Sequence, residues 1–105
     1  MIFRRRRQAA QSLTLTHDSG DSFHGVGRAP KRRSKPRIFV EHDDRAATLL
    51  LDFGVGEPGC EQTVLTVTKL GMFTLPVLSK NELVSVRGRD LPVGEIMITV
   101  AWAVE

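Results

Sequence analysis

Arg4-Arg5-Arg6-Arg7 and Lys31-Arg32-Arg33-Ser34-Lys35-Pro36-Arg37 concentrate nine cations in two runs separated by 23 residues. Runs of this density bind polyphosphate by displacing its condensed counterions, a chemistry that depends on charge and not on a fold. If about eight such cations met single-stranded phosphates, the slope of log K against log salt would be near −6. Single-strand readers also stack bases on aromatic rings, yet Phe3 and Phe23 are the only aromatics before Arg37 and the chain contains no Tyr. The expectation is contact with nucleic acid, RNA or DNA, without sequence-specific readout. The residues expected to carry it are Arg4, Arg5, Arg6, Arg7, Lys31, Arg32, Arg33, Lys35 and Arg37.

The same residues have a second reading. Pro30-Lys31-Arg32-Arg33 resembles the short monopartite nuclear localisation signal, which implies a nuclear import receptor as the alternative partner. Asp18-Ser19-Gly20-Asp21-Ser22 resembles the short phosphodegron read by the β-transducin-repeat adaptor of a ubiquitin ligase, and that resemblance implies phosphorylation of Ser19 and Ser22. Ser34 follows three cations, the setting of a basophilic kinase site, where a phosphate would subtract up to about two charges from the cluster.

Catalytic and metal chemistry find little support. His17, His24, His42 and Cys60 match no zinc spacing, and His42-Asp43-Asp44 offers only a loose cation contact. Cys60 stands between Glu57 and Glu61, negative surroundings that disfavour a nucleophilic thiolate. No glycine-rich phosphate loop joins a strand to a helix. Neither an enzyme activity nor a cofactor is expected.

The elements that must position these residues follow from charge and punctuation. Residues 1–37 carry ten Lys/Arg against two Asp, and residues 38–105 carry five against ten Asp/Glu, so the halves stand at +8 and −5. Like charge on a chain poor in apolar groups resists collapse. The expected organisation is therefore a disordered basic arm over 1–37 and an acidic β domain over 38–105. A domain of that size buries only about 60% of its unfolded surface, and the lone Cys60 cannot form an internal disulfide, so self-association is the remaining source of stability. The unpaired thiol favours a reducing compartment, nucleus or cytoplasm. No run reaches the roughly 18 apolar residues of a membrane span. The Arg-rich, acid-free stretch from Met1 to His17 has the composition of a mitochondrial presequence, a minor alternative opposed by four consecutive arginines that would point all around a helix.

Within the second half, Gly and Pro interrupt short β-branched and apolar runs at strand spacing. Glu95 to Glu105 alternates with period two, and both its faces are largely apolar, which predicts a strand in the middle of a sheet or between layers. Thr63 to Leu70, Asn81 to Arg87 and Arg37 to Glu41 also read as strands, and Pro76 confines Met72 to Leu78 to an edge or bulge. In Asp43 to Phe53 a cap at Asp43 or Asp44 competes with a strand through Leu49-Leu50-Leu51, and strand is favoured. Ser12 to Thr16 alternates and can add a short strand to an edge. Trp102 reads as core. The fold expected is all-β, a small antiparallel sandwich or partly open barrel of five to seven strands behind the basic arm, with a homodimer formed through strand addition or face packing. The function expected is non-enzymatic binding of nucleic acid or an import receptor. The alternative, shared by many small viral accessory proteins, is a β domain that recruits a partner by edge pairing or an apolar groove while the arm only localises it.

Overall fold

Buried and exposed side chains alternate strictly along Ser34–Glu41 and from Ile96 to Ala103. This period of two lets two long strands lie side by side, each sending one face inward. The computed structural model describes residues 10–104. These form eight strands: β1 Gln11–Leu15, β2 His24–Arg28, β3 Ser34–Glu41, β4 Leu50–Val55, β5 Gln62–Val67, β6 Gly71–Thr74, β7 Leu83–Arg89 and β8 Ile96–Val104. Two four-stranded sheets result, ordered β1-β8-β3-β6 and β2-β7-β4-β5, with every neighbouring pair antiparallel. The fold is all-β as expected, two open sheets and not a closed barrel. Among the described residues no helix is long and apolar enough to cross a membrane.

The inner faces share one core. Leu15, Ile38, Val40, Ile96, Ile98, Val100 and Trp102 of the first sheet meet Leu51, Phe53, Val67, Val84 and Val86 of the second. Each fully buried side chain of this kind contributes about 1.5–3 kcal/mol. β8 and β7 occupy central positions, and β6 is an edge that ends before Pro76. The competition in residues 43–53 resolves to strand. Asp44 accepts hydrogen bonds from Ala46 N at its Oδ1 and from Ala47 N at its carbonyl, closing a single turn. The chain then enters β4, whose backbone is paired on both sides by β5 and β7. The tight Ser79-Lys80-Asn81 link carries the chain from one sheet to the other and is not a hairpin within one.

Residues 11–37, assigned by charge to a disordered arm, instead contain β1, β2 and half of β3. A boundary at residue 37 falls inside a strand. The physical reason is alternation: Arg28, Lys31, Arg32, Arg33 and Arg37 all stay in solvent, while Leu15, Ala29 and Pro36 go inside. Outward-pointing cations do not oppose collapse of the opposite face. The alternation of Ser12 to Thr16 does form an edge strand, β1, while β2 escaped local composition because its partner β7 is distant in sequence. β2 was hidden by its glycines, which the packing uses. A Cβ at Gly27 would collide with Gln11 Oε1, and its absence lets the Gln11 amide reach Trp102 Nε1, which donates to that oxygen at 2.8 Å. Arg4, Arg5, Arg6 and Arg7 lie outside the described residues.

Candidate polyanion interface

The second basic run is held in a defined turn. Between β2 and β3 the chain crosses from one sheet to the other, and Ser34 closes the crossing. Its hydroxyl donates to Lys31 O at 2.6 Å and receives Lys31 N at 3.1 Å, while its backbone exchanges hydrogen bonds with Leu78 at 2.9 and 2.7 Å. Arg33 adopts a left-handed conformation, φ 54°, which turns the chain sharply into β3. The clamp leaves Lys31, Arg32 and Arg33 exposed in sequence, and among the described residues none of them pairs with an acid. Lys35 and Arg37 continue from the turn along the outer face of β3, half-buried and exposed respectively.

A neighbouring turn adds a cation that sequence reasoning passed over. Asn81 N donates to Ala29 O and Ala29 N donates to Glu82 O, both at 2.8 Å, which ties the Ser79–Asn81 link to the end of β2 and brings exposed Lys80 to the same end of the molecule. Lys80 has no other cation near it in the sequence, so only this backbone contact reveals its company. Arg28, also nearby, is spent on a partner. Its Nη1 donates to Glu57 Oε2 at 2.8 Å and to Asn81 O at 2.9 Å. The Glu57 hydrogen bond and charge raise the Arg28 pKa, and the reciprocal interaction lowers that of Glu57.

Strand order brings residues from both halves of the sequence to each end of the fold. The β2–β3 turn, the start of β7 and the end of β8 share the basic end. At the other end the close of β3 and the start of β8 bring Glu41, Asp43 and Glu95 together, and Glu41, His42, Asp43, Gly94, Glu95 and Met97 line a shallow cleft; Arg45 lines a second cleft beside Glu41 and His42. His42 is committed within that loop: its Nδ1 accepts from Asp44 N and its Nε2–H donates to Val93 O, each at 2.9 Å. Both ring nitrogens are thereby occupied, which removes His42 from the cation contact anticipated for His42-Asp43-Asp44.

The three candidate phosphorylation sites differ in access. Ser22 is exposed, and Ser19 is half-buried with its Oγ accepting from Thr16 N at 2.9 Å. Ser34 is 0% exposed, and its hydroxyl is the clamp of the turn. The expectation of a kinase site there is corrected by geometry, since no transferase reaches a fully buried oxygen. The chain matches no protein-family model, no curated protein and no solved structure, so what it can bind is read from its own surface.

Proposed function

We propose that this protein is a non-enzymatic binder of polyanions, nucleic acid foremost, which engages phosphates with the basic end of its sandwich. One observation carries the reading: Lys31, Arg32 and Arg33 project together from a turn pinned by a buried serine, and no acid among the described residues neutralises them. A rigid turn presents its charge without first losing backbone entropy, so each phosphate contact retains more of its counterion-release free energy. Lys80 widens the positive surface, and Arg4 to Arg7 would extend it by charge alone. Among the described residues no exposed aromatic lies in the turn itself, which favours binding through phosphates over base recognition.

The test is fluorescence anisotropy of full-length protein with labelled single-stranded RNA and DNA across a salt series. The triple variant K31A/R32A/R33A should reduce the salt slope by about 2, and K80A by about 0.7. An unchanged slope in the triple variant overturns the proposal.

A further inference from the structure

Among the described residues nothing covers the outer face of the β1-β8-β3-β6 sheet, which carries exposed apolar side chains. Phe39 is 37% exposed, Met72 54% and Met97 47%, and Phe39 lies directly opposite Met72 on β6 and Thr99 on β8. The charges around this patch are ordered. Reading every second residue along and just past β3 gives Lys35, Arg37, Phe39, Glu41 and Asp43: two cations, an aromatic, two anions. The series is antisymmetric about Phe39. On β8 the residues flanking Thr99 are large on one side, Met97, and small on the other, Ala101.

We infer that this face binds a second copy of the chain, packed face to face about a two-fold axis that lies in the interface and runs across the strands at the level of Phe39. That operation reverses strand direction and keeps lateral order. It sets Arg37 against the partner's Glu41 and Lys35 near the partner's Asp43, stacks the two Phe39 rings, and aims Met97 at the gap above the partner's Ala101. The other two-fold for two facing sheets runs along β3 and superposes like on like, Arg37 over the partner's Arg37. Like-charge juxtaposition of that kind opposes association. Charge therefore selects one isologous arrangement out of two. A nucleic acid is the poorer occupant, because Glu41 and Asp43 would repel its phosphates at half of the face.

The area sets the class of interface. The strands β1, β8, β3 and β6, at about 3.3 Å per residue and about 4.8 Å spacing, give roughly 400 Å² of flat sheet per subunit, below the roughly 800 Å² of a standard interface. A face of this size suits a reversible dimer that forms at high protein concentration. It uses Lys35 and Arg37 and leaves Lys31, Arg32 and Arg33 free, so the two basic turns would stand about 40 Å apart on opposite ends. The inference stands independently of polyanion binding.

Sedimentation of the full chain at about 1–100 µM and low salt reads the equilibrium. R37E and E41R should each weaken the dimer at least tenfold, and the double variant R37E/E41R should recover affinity to within about threefold. A wild-type chain that stays monomeric at 100 µM, single variants that dimerise normally, or a double variant no tighter than the singles overturns the proposal. Crosslinking is a second measure that leaves the charges intact: T99C in a C60S background should be joined to its copy by a short bismaleimide, and V64C, on the edge strand β5, should not. Absence of the T99C crosslink counts against the dimer. A monomer whose F39D variant loses single-stranded RNA binding would assign the face to nucleic acid and equally overturn it.

Discussion

Asp52 and Arg87 sit directly opposite one another on β4 and β7, and the carboxylate is 2% exposed although it lies on the outer face of its sheet. Leu51 and Phe53 on either side point to the core, so Asp52 points away from it. What covers it is its partners: Arg87 Nε and Arg89 Nη2 both donate to Oδ2 at 3.0 Å, and Thr66 Oγ1 on β5 donates to Oδ1 at 2.8 Å. The Arg87 guanidinium in turn lies 4.6 Å over the Phe23 ring. Three strands are thus laced across one face by one carboxylate.

Acid should loosen this lacing. Burial pushes the Asp52 carboxyl up, but hydrogen bonds from Thr66 and Arg87 and the charges of Arg89 and Arg87 outweigh it, and the net direction is down. A carboxyl lowered in the folded state adds stability that is fully present above its unfolded value, about 3.9, and is lost as pH falls through the lower folded value. The melting temperature should therefore fall below about pH 4. In D52N the stability near neutral pH should drop by about 2 kcal/mol and the acid limb should flatten. Thermal melts followed by circular dichroism between pH 2 and 7 measure both, and an acid limb unchanged in D52N refutes the assignment.

Modification of Ser34 should require unfolding. A basophilic kinase is expected to leave Ser34 unmodified in the native chain and to modify it after heat denaturation, as read by peptide mass spectrometry. S34A removes both hydroxyl hydrogen bonds of the turn and should cost about 1–2 kcal/mol.

The single tryptophan reports on the contact between the β1 and β2 edges. Q11A removes the acceptor of Trp102 Nε1, leaving a largely buried donor unpaired at a cost of about 1–2 kcal/mol. G27A should act on the same bond, because its methyl would displace the Gln11 amide. Both variants are expected to shift the Trp102 emission and to lower the urea midpoint, and an emission unchanged in both would show the bond to be absent in solution.

Ser85 offers a gain. Its hydroxyl is buried without a hydrogen-bond partner, on the outer face beside Gly25 and Gly54. Replacing an unpaired buried hydroxyl by hydrogen relieves a desolvation penalty, so S85A should stabilise the chain by about 1 kcal/mol in urea denaturation. A loss of stability would reveal a partner for the hydroxyl, such as a bound water.

The strands that could be read ahead were those whose signal is local. Ile96 to Trp102 alternates so regularly that its strand and its central place follow from side-chain period alone, and Pro76 marks where an edge strand must end because proline has no amide to donate. β2 was not legible, since His24-Gly25-Val26-Gly27-Arg28 has the composition of a loop. Its glycines serve Gln11 and Leu83, which lie far along the chain. Lys80 was missed at the candidate interface for the same reason. Asp52 follows three leucines in the sequence, and nothing local distinguishes it from the exposed Asp43 and Asp44.

Residue order alone established the all-β class and the surplus of cations before residue 38, because period, punctuation and charge are properties of neighbours. It could not assign those cations to an arm or a surface. That was decided when β1 and β2 found β8 and β7, pairings that span most of the chain and draw their free energy from a core no single segment contains. Antiparallel order then set Lys80 and Glu57 of the second half beside the cations of the first.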